Sequence, residues 1–222
     1  MSLTVERTTR RQALEATCLA VLAGFIDAYG LITYRTYLSL MSGNTTQAGS
    51  AVGRGEFAAI VPPAIAVLSF VAGCFVGTLI AHSAVECARR IILASVAVAL
   101  AVVIGLTIGG LPSVLLIAIV SFEMGAMNIA FSRIGTQTVN ITFVTGTLNS
   151  LGAHLALAFK KVPLKNSDGP YDTHVRRALF LDGLWVGFFF GTILSGIATR
   201  RFGVWVLLFP ILVLSSIVRF ES

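Results

Sequence analysis

The sequence predicts an all-α, polytopic membrane protein: one integral domain over residues 1–222, with six transmembrane helices and two short helices. Three observations lead to this prediction. Hydrophobic residues make up 56% of the 222-residue chain and charged residues only 12%, and the mean hydropathy is +0.89, which is outside the range of soluble domains. Six apolar runs have the length of membrane helices. Two polar motifs interrupt the apolar sequence at matching places in its two halves.

Each apolar run is long enough to serve as one crossing. A helix needs about 20 mostly apolar residues to span the hydrocarbon core of a bilayer. These runs together leave no room for a soluble domain. The predicted spans are residues 13–34, 60–83, 91–110, 112–131, 177–198 and 202–219.

The basic residues predict the orientation of the spans. With the amino terminus in the cytoplasm and six crossings, all but four of the 16 Lys and Arg residues lie on the cytoplasmic side, as the positive-inside rule requires. The chain is therefore expected in the bacterial inner (plasma) membrane, multi-pass, with both termini cytoplasmic. Nucleic acid is not an expected partner, because the basic residues lie at helix ends rather than on one face. The four exceptions are Arg35, Arg54, Arg200 and Arg201.

Three landmarks recur in the same order in both halves and predict an internal duplication. One repeat covers about residues 12–110 and the other about 112–220. If the two short helices do not cross, the repeats are inverted in the membrane. Eight spans with parallel repeats are the alternative, with a weaker charge bias. The matched landmarks are Gly24 and Asp27 with Gly125 and Asn128, residues 41–45 with 144–148, and Gly73 and Gly77 with Gly187 and Gly191.

Each polar motif is predicted to begin a short re-entrant helix. Ser42 and Thr145 are the expected N-caps, because a hydroxyl there accepts hydrogen bonds from the free amides of the first turn, and Gly43 and Gly146 allow close approach. In the inverted arrangement the two helix starts meet near the midplane, where their partial positive charge suits an anionic or carbonyl-bearing solute. The alternative is that both motifs cap helices at the membrane surface. Further candidate contacts with the solute are Asn44, Thr45 and Thr147.

Asp27 and Glu123 are the two carboxylates deep within predicted spans. A charge at the centre of a span costs about 2.5 to 3.5 kcal/mol, so such a residue is expected to face a partner or a cavity. Asp27 is the first candidate for binding a cation or accepting a proton and Glu123 the second, and Asn128 is a further candidate for contact with the solute. Asp27→Asn is expected to abolish transport or its pH dependence while the protein still folds and inserts. The alternative is that the carboxylates are structural hydrogen-bonding groups between helices.

Glycines spaced four residues apart predict close helix packing, within the chain or in a homo-oligomer. No hydrolase, nucleotide-binding or metal-site pattern is present, so neither enzymatic activity nor a cofactor is expected. The three histidines form no H-E-x-x-H pattern. The packing candidates are Gly73, Gly77, Gly183, Gly187 and Gly191.

Several of these motifs together resemble the YoaK family of small bacterial membrane proteins, a domain of unknown function. The resemblance covers roughly residues 12–219 and rests on G-x-x-D-A at 24–28, M-S-G-N at 41–44 and V-T-G-T-L at 144–148. It implies about six spans and no established substrate. Ser42 departs from the threonine that the family favours, but it keeps the hydroxyl.

Two classes of function fit these observations. The first is a permease or channel-like secondary transporter of a small solute, with the polar helix starts and the carboxylates at the repeat interface. The second is a non-transporting scaffold or partner-binding subunit that uses the basic residues of 160–177 to contact anionic lipid or a partner. The lipid bilayer is a partner in both cases.

Overall fold

The chain is almost entirely helical. A computed structural model describes residues 2–84, 87–130, 133–134, 137–138, 144–164, 167 and 172–220. Its helices are α1 (Ser2–Tyr34), α2 (Met41–Gly53), α3 (Val61–Ser83), α4 (Ala88–Ile108), α5 (Ser113–Ala130), α6 (Val144–Phe159), α7 (His174–Phe202) and α8 (Leu208–Phe220). Turns of 3₁₀-helix at Phe57–Ile60 and Gly203–Leu207 precede α3 and α8, and β1 (Arg133–Ile134) pairs antiparallel with β2 (Gln137–Thr138).

Five helical stretches are long and apolar enough to cross a membrane. The last contains both α7 and α8, which the sequence predicted as separate spans. Outward-facing side chains such as Leu68 and Ile197 are about two-thirds exposed, as expected of groups that contact lipid acyl chains. The prediction of an all-helical membrane protein is therefore confirmed. The stretches are Ala13–Tyr34, Phe57–Ser83, Ala88–Ile108, Ser113–Ala130 and His174–Arg219.

The most extensive helix contacts join elements far apart in sequence. α1 packs along α7, and α3 packs along α5. Both pairs run parallel, since later residues of one helix meet later residues of the other. α2 packs on α3, and α6 packs on α7, so each short helix lies against the long helix that follows it in sequence.

Glycines allow the backbones of both pairs to touch. A β-carbon at Gly24 would overlap the carbonyl oxygen of Phe188, and one at Gly191 would overlap that of Val21. In the second pair, a β-carbon at Gly73 would overlap the Phe122 carbonyl and one at Gly125 the Phe70 carbonyl. Gly77 and Gly187 also lie against the neighbouring helix, whereas Gly183 has only Thr17 at van der Waals distance. Small residues thus permit helix contact that bulky side chains would prevent.

Two contacts establish that α1 and α4 run in the same direction. Near the starts of the two helices, Arg89 Nη2 donates to Glu15 Oε2 at 2.7 Å. Near their ends, the side chain of Tyr34 lies close to that of Thr107. The chain therefore returns to the side on which α1 began before it enters α4.

Candidate functional site

Asp27 of α1 binds the segment that leads into α2. The side chain is only 3% exposed. Its Oδ1 accepts hydrogen bonds from the backbone amides of Leu38, at 2.8 Å, and Ser39, at 2.6 Å, and its Oδ2 accepts from the Ser39 hydroxyl at 2.6 Å. An ionised carboxylate has only acceptors, and these three donors come from one short segment. Asp27 therefore fixes the position at which α2 begins.

Asn44 makes a second attachment within the same motif. Its buried side chain pairs with the backbone of one residue: Oδ1 accepts from the Tyr37 amide at 3.0 Å, and Nδ2 donates to the Tyr37 carbonyl at 2.7 Å. A β-carbon at Gly43 would lie 2.7 Å from Cε2 of the Tyr37 ring. The glycine makes room for the ring, and the asparagine satisfies both backbone polar groups of Tyr37.

The prediction that Ser42 is an N-cap is wrong. α2 begins at Met41, and Leu40, which precedes it, makes no side-chain capping bond. The Met41 amide donates instead to the Ser39 carbonyl at 3.1 Å, because the bonds to Asp27 hold that segment in place. Ser42 and Thr45 lie exposed within the helix, and the Thr45 hydroxyl donates back to the Met41 carbonyl at 2.8 Å.

The second polar motif has a partly similar arrangement. Val144 is already helical, so Thr145 lies inside α6, not at its N-cap as predicted, and it is exposed. Thr147 is buried, and like Asn44 it is the fourth residue of its helix. Gly146 is half-buried. Residues 139–143, which precede this helix, lie outside the described part of the chain.

The two motifs are not brought together at a common cavity. Within the described ranges, α2 packs on α3 and α6 on α7, with no extensive contact between the two short helices. Glu123 is also elsewhere: its Oε2 accepts from the Ser95 hydroxyl at 2.8 Å, which joins α5 to α4. Asn128 is half-buried near the end of α5. Asp27 and Glu123 thus serve different helix contacts.

A groove opens beside α2, which we call the arginine groove; several polar side chains line it, but most of its surface is apolar. Its volume is about 450 Å³, and it lies between the end of α1, the exposed face of α2 and the start of α3. Arg35, with φ of 58°, ends α1 in the left-handed conformation, and its amide donates to the Leu31 carbonyl. The groove is lined by Tyr34, Arg35, Thr36, Thr46, Gln47, Ser50, Ala51, Arg54, Ala59, Pro62 and Pro63.

The two guanidinium groups of the groove differ in their partners. Arg54 donates to the Ser50 hydroxyl at 2.5 Å and to Glu56 Oε2 at 2.7 Å. The hydrogen bond from Arg54 lowers the pKa of Glu56, so this pair is ionised at neutral pH. Arg35 is exposed and makes no ion pair with any side chain in the described ranges. The groove therefore carries one uncompensated positive charge.

Comparison with known proteins places the chain in a family. The profile described as "Protein of unknown function (DUF1275)" matches residues 16–219. The chain belongs to the DUF1275 family. It is similar to a UPF0700 transmembrane protein of Rhizobium meliloti (strain 1021), with 28% identity over 187 residues, which cover 83% of this chain and 75% of that protein. No solved structure matches significantly. The expected YoaK-type relationship and the membrane nature of the chain are confirmed.

Sequence reasoning did not select the arginines of this DUF1275 protein as site residues. In the sequence, Arg35 and Arg54 stand out only as two of the four exceptions to the positive-inside rule. That exception was nevertheless a usable signal, since a basic residue placed on the disfavoured side of a membrane needs a reason for being there. The groove gives a common location for both residues.

Proposed function

We propose that this DUF1275 protein is a permease for a small anionic solute that enters through the arginine groove. The observation that carries the proposal is the uncompensated guanidinium of Arg35 in a mainly apolar groove whose lining also includes Thr46, Gln47 and Ser50. A guanidinium can bind a carboxylate or phosphate through two parallel hydrogen bonds. Asp27 and Asn44 support the site indirectly, because they hold the chain that forms its wall.

We infer that the chain crosses the membrane six times. The parallel course of α1 and α4 requires residues 35–87 to make one net crossing, and α3 alone has the required length and hydropathy. α2 then stays on the side where α1 ends. Since α1 and α7 also run parallel, α6 does not cross the membrane either, and it stays on the side where α5 ends. With the amino terminus in the cytoplasm, the arginine groove faces outward.

We also infer that the two halves are inverted repeats that exchange helices. In the repeat, α1 matches α5 and α3 matches α7. The contact of α1 with α7 is then equivalent to the contact of α5 with α3. Gly73 approaches the carbonyl three residues before Gly125, and Gly191 approaches the carbonyl three residues before Gly24. This geometry favours a match of Gly73 with Gly191, one helical turn beyond the Gly187 that the sequence comparison chose.

Substitution of Arg35 by glutamine is expected to reduce anion uptake. Loss of a charge-assisted bidentate contact costs at least about 1.5 kcal/mol, which is about tenfold in affinity. The measurement is uptake of radiolabelled acetate, succinate, phosphate and sulfate into liposomes that contain the purified protein. Stability should be unchanged, because Arg35 is exposed.

Arg201→Gln is the matched control, since Arg201 is also exposed and lies on the same predicted side. It should transport as the wild type does. If none of the four anions enters above empty liposomes, the permease proposal fails and the scaffold alternative gains support. Equal uptake by Arg35→Gln and wild type would remove the groove from the pathway.

The six-span topology predicts where three cysteines react. Arg35→Cys and Glu56→Cys, each in a chain without native cysteines, should react with a membrane-impermeant maleimide from the same side of intact cells. Exposed native Cys87, tested with Cys18 and Cys74 replaced, should react only after permeabilisation. The eight-span alternative has residues 35 and 56 on opposite sides, so labelling of only one of them in intact cells contradicts our topology.

A further inference from the structure

A pair of histidines joins α6 to α7 on the side opposite the arginine groove in the proposed topology. His154 Nδ1 and His174 Nδ1 are 2.8 Å apart, and the ring centroids are separated by 5.1 Å. His174 is only 8% exposed, whereas His154 is half-buried. The residues lie 20 positions apart, so the sequence alone gave no sign of the pair.

The hydrogen bond requires that one Nδ1 carries a proton and the other does not. His174 Nε2 is buried without a partner in the described part of the chain. A buried donor without a partner is rarer than an unpaired acceptor, so we assign the proton to Nδ1 of His174. His154 Nδ1 is then the acceptor, and protonation of that nitrogen eliminates the bond and places two N–H groups face to face.

An ion pair lies beside the histidines. Arg177 donates to Asp172 through Nε at 3.1 Å and through Nη2 at 2.6 Å, and both side chains are largely buried. Burial lowers the pKa of His154, as do the electrostatic interactions with His174 and Arg177, while Asp172 acts in the opposite direction. The surroundings of His154 therefore favour its neutral form.

The position of the histidines corresponds to that of the arginine groove. If Asn44 corresponds to Thr147, then Ala51 corresponds to His154, because the two pairs have the same separation in sequence. If Gly73 corresponds to Gly191, then Ala59 corresponds to Arg177 by the same reasoning. Ala51 and Ala59 both line the groove. In the second half, the larger side chains of His154 and Arg177 stand at these two positions, and each makes a polar contact there, with His174 and Asp172 respectively.

We propose that His154 and His174 form a proton-operated latch, which holds α6 against α7 and closes the inner counterpart of the arginine groove. This proposal rests on the permease function and identifies the proton as the ligand that controls it. A closed latch accommodates one proton between the two Nδ1 atoms. A further proton, taken up by His154 Nδ1 from the cytoplasmic side, separates the rings and frees the start of α7 from α6.

The expected direction of the pH dependence follows from the lowered pKa. The closed latch binds fewer protons than the separated imidazoles do, so it is fully stable above the ordinary histidine pKa of about 6.5 and loses stability as the pH falls below that value. His174, Arg177 and Asp172 are the charged or titratable groups that act on His154. Acidification of the cytoplasmic side should therefore open the latch.

Cysteine accessibility on α6 tests the latch directly. Ser150 corresponds to Gln47 of the groove and is half-buried, whereas Phe159 on the same helix is 86% exposed. In a purified full-length chain without native cysteines, we compare the maleimide labelling rates of Ser150→Cys and Phe159→Cys, so that the intrinsic pH dependence of thiols cancels. The rate ratio should rise at least about fivefold between about pH 8 and about pH 5.5.

Histidine variants decide the outcome. His154→Gln should make the ratio independent of pH, and so should His174→Gln. The control His82→Gln should keep the pH dependence of the chain that has all three histidines. A ratio that does not change with pH, or a pH dependence that survives in both latch variants, overturns the proposal. Because labelling needs no solute, failure of the latch leaves the uptake result standing, and absence of anion uptake leaves the latch result standing.

Discussion

Asp27→Ala is expected to prevent the protein from accumulating in a folded form. The substitution removes the acceptor for two backbone amides and one hydroxyl in a fully buried segment. Each buried donor left without an acceptor costs about 1 to 3 kcal/mol, so the two amides alone cost about 2 to 6 kcal/mol, which is a large part of the stability of a typical domain. The measurement is the yield of monodisperse protein in detergent and its thermal unfolding temperature.

Asp27→Asn is the informative control. Its Oδ1 can still accept from both amides, and its amide group can donate to the Ser39 hydroxyl, which rotates to accept. This variant should fold and should retain most of its transport, in contrast to the loss of transport expected from the sequence. If Asp27→Asn folds normally but does not transport, the carboxylate has a role beyond attachment of this segment. If Asp27→Ala is as stable as wild type, the attachment itself is unimportant.

Gly191→Val is expected to separate α1 from α7. A β-carbon at this position overlaps the Val21 carbonyl oxygen, and a backbone atom cannot move aside as a flexible side chain does. The destabilisation should be about 3 kcal/mol or more, at the upper end of the range for overpacked cores. Thermal unfolding in detergent measures the effect.

Gly196→Val on the same helix is the matched control. A β-carbon there would meet no other described atom within 4 Å, so the unfolding temperature should change little. Similar destabilisation by both substitutions would indicate that the loss of glycine itself, not the contact with α1, is responsible.

The sequence predicted the helical spans well, because hydropathy and length act locally. The predicted first span, 13–34, coincides with the apolar part of α1, although α1 itself begins at Ser2. The sequence predicts a boundary between the last two spans near residue 200, and the structure has the 3₁₀ turn Gly203–Leu207 close to that boundary. The physical requirement is the same for each span: backbone groups in lipid must be bonded internally, which an apolar helix achieves.

The site was predicted less well, because its contacts depend on how the chain folds back. Asp27 was recognised as a residue that needs a partner, but its partners are backbone amides of Leu38 and Ser39, which no residue pattern reveals. For the same reason Ser42 was assigned a capping role that the Ser39 carbonyl fulfils. His154 and His174 meet only because α6 folds against α7.

The exchange of helices between the halves has a consequence for synthesis of the protein. α3 and α5 are close in sequence, but α1 has its main partner in α7, which is synthesised much later. Until then the surface around Gly24 faces lipid or the insertion machinery. Truncation before α7 therefore leaves α1 without its main packing partner.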